Sequence, residues 1–132
     1  MKYALLVILL SFSFAVQAQD SVVDTPKIYK FVEQMPKAKY SMNEYLDANL
    51  HYPESARKQN VQGKVIVKFV ITETGAIGNC VVVKSVSPDI DSEALRVVKN
   101  MPPWSPGLSD GKPVNVYFNL PINFKLSNNA PK

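Results

Sequence analysis

Three stretches of the chain read with a period of two. In residues 64–72 (KVIVKFVIT), Val65, Val67, Phe69 and Ile71 share one face, and Lys64, Ile66, Lys68 and Val70 share the other. This is the period of a β-strand. Residues 77–86 repeat it, with Cys80 and Val82 on one side and Val81 and Val83 on the other. Glu73, Thr74 and Gly75 between the two runs predict a tight hairpin turn, with Gly75 free to take positive φ. In residues 114–124 (VNVYFNLPINF), Val114, Val116, Phe118, Leu120, Ile122 and Phe124 point one way. Asn115, Tyr117, Asn119 and Asn123 point the other. Pro121 has no amide hydrogen, so this last strand is expected at a sheet edge, at least there. Residues 27–35 (KIYKFVEQM) predict one further short strand through Ile28, Tyr29, Phe31 and Val32.

Helical spacing occurs at three places. Met42, Tyr45, Leu46, Asn49 and Leu50 recur at i, i+3, i+4, i+7 and i+8, behind a capping box of Ser41 and Glu44. Tyr52-Pro53 restarts the chain, and residues 54–59 predict a short helix closed by Asn60, a residue that tolerates the left-handed conformation. After Ser87-Pro88, a stripe of Ile90, Ala94, Val97, Val98 and Met101 runs to Pro102-Pro103, which ends the helix. Residues 104–113 (WSPGLSDGKP) read as a turn-rich loop, and residues 36–40 as a connector.

Sequential strands usually pair, and the last strand most simply joins the first strand of the hairpin. The expected fold class is therefore α+β: a two-layer domain with a three-stranded antiparallel sheet, two main helices packed on one face, and an N-terminal strand and helix extension. The other face would hold Ile66, Val70, Val81, Val83 and Tyr117. Bare apolar patches of that kind usually meet a partner. Residues 27–35 or a second subunit are expected to cover part of it.

The first residues follow none of these periods. Lys2 precedes an uncharged run over residues 4–16, broken only by Ser11 and Ser13, and Val16-Gln17-Ala18 offers small residues at the positions a signal peptidase reads. As a helix that run spans about 20 Å, short of a bilayer core of about 30 Å. The expected organisation is a signal peptide at 1–18 cleaved after Ala18, a leader and extension at 19–40, a domain at 41–126 and a polar tail at 127–132. The expected location is the periplasm, with an uncleaved inner-membrane anchor as the alternative. Cleavage removes Lys2 and leaves 14 basic against 11 acidic residues. So mild and scattered a surplus excludes a nucleic-acid partner.

Candidate chemistry is thin. One cysteine excludes a disulfide scaffold, and one cysteine with one histidine leaves little for a zinc site. His51 has no acid or nucleophile at motif spacing. Cys80 alternates among valines and reads as a small buried hydrophobe. Gly75-Ala76-Ile77-Gly78 joins strand to strand and lacks the Lys and Ser/Thr of a phosphate loop. Asp89, Asp91 and Glu93 stand at a helix start, where carboxylates serve as caps and dipole partners. No acid/base pair and no nucleophile with its base assembles, so an enzyme, a cofactor and a metal are not expected.

Residues 52–124 carry a spaced series of short pieces. They are Tyr52-Pro53 with Ala56; Gln62-Gly63-Lys64-Val65; Phe69-Val70; Thr74-Gly75-Ala76-Ile77; Asp91 with residues 93–98; Met101-Pro102 with Trp104 and Pro106-Gly107; Gly111-Lys112-Pro113-Val114; and residues 120–124 (LPINF). In order and spacing this series resembles the C-terminal domain of TonB energy transducers. The resemblance implies a module that binds the TonB box of outer-membrane TonB-dependent transporters, the box adding as a strand beside the last strand of the domain. Unpaired edges invite such addition, with main-chain bonds giving affinity and side-chain pockets giving selectivity. The partner-binding residues it implies here are Val114, Asn115, Val116, Tyr117, Phe118, Asn119 and Leu120, flanked by Asn49, Tyr52 and Pro53.

A full transducer also needs a membrane helix and a long spacer. Here residues 19–26 alone separate the apolar run from the first folded segment, a reach of about 28 Å when extended. A short periplasmic form is therefore expected. The alternatives are an anchored transducer coupled to inner-membrane motor proteins, and an envelope protein that self-associates as a homodimer.

Overall fold

The computed structural model describes residues 25–126, together with Ser13. The expected signal peptide and polar tail lie outside the described residues, Ser13 apart. Among the described residues seven strands and three helices follow in chain order: β1 (Ile28–Tyr29), β2 (Lys37–Ala38), α1 (Met42–Asn49), α2 (Glu54–Lys58), β3 (Gly63–Ile71), β4 (Ile77–Lys84), α3 (Pro88–Lys99), β5 (Trp104–Ser105), β6 (Gly107–Ser109) and β7 (Lys112–Phe124).

Local chemistry accounts for the helices and the hairpin. The Ser41 hydroxyl accepts the Glu44 N–H and starts α1. Asn60 ends the α2 turn at φ 54°. The Ser87 hydroxyl accepts the Ile90 N–H, and Pro88 occupies the first turn of α3. The β3–β4 turn uses Gly75 at φ 85°. α3 buries Ile90, Ala94, Val97 and Val98 against the sheet, with Met101 just beyond its end.

The core of the sheet follows the alternation. β3 lies between β4 and β7, antiparallel to both, and pairs with β7 from Gly63↔Phe124 to Ile71↔Val116 without a break. Val65, Val67, Phe69 and Ile71 are fully buried beneath the helices, together with Val116, Ile122 and Phe124. Cys80 and Val82 pack against the same core from β4.

The three-stranded layout needs correction. The sheet has five strands in the order β1-β7-β3-β4, with β6 also paired to β7, and a separate β2–β5 ladder joins residues 37–38 to 104–105. The strand expected over residues 27–35 contracts to Ile28–Tyr29, and the chain bends away at Lys30. The turn-rich loop contains two short strands, β5 and β6. Asp110 and Gly111 both take positive φ and turn β6 back into β7. This is the mirror-image hairpin turn that suits twisted strands.

The edge expected at Pro121 is present, since β7 pairs there with β3 alone among the described residues. Among the described residues β4 pairs on one side only along its whole length, and the short β1 ends the other side of the sheet. The outer flank of β7 is occupied over its first part, by β6 at Lys112–Val114 and by β1, running parallel, at Asn115–Val116. Pro121 speaks only for its own missing donor and leaves the neighbours along the strand unspecified.

The outer face is only partly covered. Val70 is buried, Ile66 and Tyr117 are half-buried, and Val81 and Val83 stay more than half exposed.

Candidate functional site

β7 presents three different environments along its outer flank. Gly107, Leu108 and Ser109 pair with Val114, Pro113 and Lys112. Ile28 and Tyr29 then pair with Asn115 and Val116. From Tyr117 onward no strand pairs on that side among the described residues. The gap opens because the chain leaves the flank at Lys30 and returns only at Gln34, which exchanges main-chain hydrogen bonds with Leu108 (3.3 and 2.8 Å).

A groove of about 410 Å³ fills the gap, bounded by Lys30, Phe31 and Met35 on one side and by Lys68, Tyr117 and Asn119 on the other. Phe31 is 84% exposed. Lys68 stands opposite Asn119 across the β3–β7 ladder and reaches over the Tyr117 ring, its Nζ 4.2 Å from the ring centre. The groove therefore joins a main-chain flank, aromatic surface and two ammonium groups. Nothing in it resembles a nucleophile with a base. The lone thiol, Cys80, is pushed up in pKa by burial, with Lys99 opposing, and packs against the core.

The residues implied by the resemblance divide into three groups. Tyr117 and Asn119 line the groove on the face away from the helices. Leu120 is buried and Phe118 packs on Trp104 with ring centres 4.8 Å apart, so these two offer a guest mainly backbone, whereas Val116 is buried and already paired with both Tyr29 and Ile71. Val114 and Asn115 already have strand partners, and the Asn115 Oδ1 accepts the Glu73 N–H at 2.9 Å. Asn115 thereby ties the hairpin turn to β7.

Asn49, Tyr52 and Pro53 do not join this site. The Tyr52 ring meets Phe124 edge-on at 5.8 Å, and its hydroxyl donates to the Val61 carbonyl. Phe124 lies five residues beyond Asn119 on β7, roughly 17 Å along a strand. Asn49 donates to the Tyr45 carbonyl within α1, and its own carbonyl accepts from Arg96 at 2.7 Å. Pro53 accepts the Arg57 N–H and opens α2.

A second polar network holds this end together. Burial alone would raise the Glu93 carboxyl, but bonds from Arg96 and from the His51 N–H outweigh it and hold the group below its ordinary value. Asp91 accepts the Val86 N–H at 2.9 Å and the Ser85 hydroxyl, and Asp89 accepts the Ser55 hydroxyl. The three carboxylates fix loops and helix starts.

Lys30, Phe31, Met35 and Lys68 were missing from the sequence-derived site. Lys68 was findable: it lies on the outward face of the alternating β3 pattern, in the same column as Asn119. The position of Phe31 depends on the bend at Lys30, for which the sequence carries no period.

The sequence pattern of the family described as "Gram-negative bacterial TonB protein C-terminal" matches residues 48–126. The chain is 33% identical over 84 residues to "Protein TonB" of Pasteurella multocida (strain Pm70), covering 63% of this chain. It spans about a third of that relative's length (32%). Two solution structures of the Helicobacter pylori TonB-CTD are also similar. The one of residues 179–285 has a TM-score of 0.49 and 21% identity, covering 66% of this chain and 78% of that one. The one of residues 194–285 has the same TM-score and 23% identity, covering 64% and 88%. With the family pattern matched over more than half of the chain, from Ala48 near the end of α1 through β7, this chain belongs to the TonB C-terminal domain family.

Proposed function

We propose that the domain is a strand-binding module. An extended segment of a partner adds along the outer flank of β7 over residues 117–120, and its side chains meet the groove of Lys30, Phe31, Lys68, Tyr117 and Asn119. The family acts in TonB-dependent transport, in the cell envelope, with TonB-dependent outer-membrane transporters as partners. The guest in this reading is the TonB box of such a transporter, and the protein works in the periplasm after cleavage at Ala18. Among the described residues no helix is long and apolar enough to cross a membrane.

The observation that carries the reading is the stretch of β7 beginning at Tyr117 that has no strand partner on its outer side among the described residues, beside a groove with two lysines. Backbone donors and acceptors there can pair with any extended chain, and the groove selects among chains.

The test is a titration of isotope-labelled protein with transporter N-terminal peptides, followed through backbone amide signals. Shifts should concentrate at residues 117–120 and at Lys68. Lys68→Glu should weaken a peptide with acidic side chains several-fold while leaving the melting temperature unchanged. Shifts confined to β4, or no binding by any such peptide, would reject the module reading.

The outer side of β4 favours a second reading, self-association. It is an unpaired edge with Val81 56% and Val83 54% exposed beside it. Sedimentation equilibrium decides it, since Val81→Lys should abolish a dimer formed there.

A further inference from the structure

We propose that the outer flank of β7 already holds a guest: the chain's own β1, which occupies Asn115 and Val116 just upstream of the docking stretch and competes with any external strand that extends over them. The inference rests on the strand-addition reading, because both strands claim the same side of β7.

β1 has the geometry of a bound peptide rather than of a built-in strand. It lies parallel to β7 and pairs through two residues only, Ile28↔Asn115 and Tyr29↔Val116. Both residues are half-buried. Ile28 faces a second groove of about 520 Å³ on the outer side of the sheet, against Val70, Thr72, Asn115 and Tyr117. Lys27 sits over the Tyr29 ring at 4.4 Å, a contact within the segment itself. Main-chain pairing with one side chain seated in a groove is the mode in which extended peptides are recognised.

The segment is anchored on its C-terminal side, independently of β1. Its return point is anchored by the paired bonds between Gln34 and Leu108, and then by the β2–β5 ladder. Between β1 and this anchor the chain bends at Lys30, and Phe31 stands almost free in solvent. Release of Ile28 and Tyr29 therefore leaves the anchor intact. It uncovers Asn115 and Val116 and lengthens the free flank upstream of Tyr117.

A tethered occupant competes at high effective concentration. Apparent affinity for an outside strand falls in proportion to the fraction of time the flank is open. A flank covered about nine-tenths of the time weakens an outside guest about tenfold.

The test uses two full-chain variants and two peptides. Ile28→Gly with Tyr29→Gly weakens the hold of β1. Ile28→Cys with Asn115→Cys, in a Cys80→Ala background, cross-links β1 to β7 when oxidised and frees it when reduced. One labelled peptide copies residues 25–35 of this chain; the other is a transporter N-terminal peptide. Binding is read by fluorescence anisotropy, with a thermal melt of every form to show that it is folded. The 25–35 peptide should bind the double-glycine variant about tenfold more tightly than the unaltered protein. It should fail on the oxidised cross-link and recover on reduction. Equal binding to all forms, weaker binding to the double-glycine variant, or no binding to any form would overturn the proposal. If the 25–35 peptide behaves as expected and the transporter peptide binds nothing, β1 is a resident guest and the transporter reading fails. A transporter peptide that binds the oxidised cross-link as well as the open forms overturns the competition and leaves the module reading standing.

Discussion

Replacing Gly75 by Ala should damage this protein far more than its place in a surface turn suggests. Gly75 sits at φ 85°, and a Cβ built there would stand 1.9 Å from the Trp104 carbonyl oxygen. The Trp104 N–H donates to the Gly75 carbonyl at 2.8 Å. An L-residue held in the left-handed region costs about 1–2 kcal/mol. Parting the two backbones forfeits that hydrogen bond, about 0.5–1.5 kcal/mol more. Trp104, 3% exposed, must then shift within the core. The total is about 2–4 kcal/mol, a large part of the ~5–15 kcal/mol that stabilises a whole domain.

Gly111 supplies the control. It also has positive φ (75°), but a Cβ there meets nothing within 4 Å. Gly111→Ala should cost only the conformational term, about 1–2 kcal/mol. The two costs differ by about 1–2 kcal/mol, so at ~4–8 °C per kcal/mol for a domain of this size Gly75→Ala should melt at least ~4 °C below Gly111→Ala. Trp104 is the only tryptophan in the chain, so its fluorescence reports the shift directly. Emission of the folded Gly75→Ala protein should move to the red, and that of Gly111→Ala should not. Equal melting temperatures with unchanged emission would refute the argument.

Trp104→Ala removes a ring packed 4.8 Å from Phe118 and 5.7 Å from Phe69, centre to centre, and should cost about 3–5 kcal/mol and at least ~12 °C in melting temperature; lost peptide binding at unchanged stability would place the residue in the site instead. Glu93 is held below its ordinary pKa in the folded protein, so its contribution is complete above the unfolded value near ~4.3 and is lost as pH falls through the folded value. Glu93→Gln should therefore cost roughly 1–2 kcal/mol at neutral pH and much less near pH 3; urea melts at both pH values check this, and a gap independent of pH would contradict it.

Long elements were legible in the sequence for physical reasons. The α3 stripe and the β3 and β7 alternations each commit many residues to one period, and Ser41, Asn60 and Ser87 marked ends through their own hydrogen bonds or backbone preference. The separation of Tyr117 and Asn119 from Val116, Phe118 and Leu120 followed from alternation alone. Two-residue strands show no period. β1, β2 and β5 exist because of partners far away in sequence, at Asn115, Ser105 and Lys37. β6 is a different case, because Asp110-Gly111 is a strong hairpin signal that was present within the turn-rich loop. The edge was legible at Pro121, where β7 pairs with β3 alone among the described residues; its partners at residues 112–116 were not, because a strand's side-chain pattern records its two faces and says nothing of what lies along its two flanks. Tyr-Pro at 52–53 fitted the family's series of pieces, yet its work is to pack on Phe124 and to start α2.

The β3–β7 ladder has a consequence for how the chain reaches this structure. It joins residues 63–71 to residues 116–124, with the hairpin turn, β4, α3 and the β6 turn all lying between them. Closing so long a loop costs entropy before any pairing repays it, and contacts of this range slow folding. The β3–β4 hairpin and α3 can form early, but Val65, Val67 and Phe69 lack their neighbours on one side until Ile122, Leu120 and Phe118 arrive. Folding thus finishes with the strand proposed for docking. A chain cut before β7 leaves the buried flank of β3 bare, as a template for pairing with other chains.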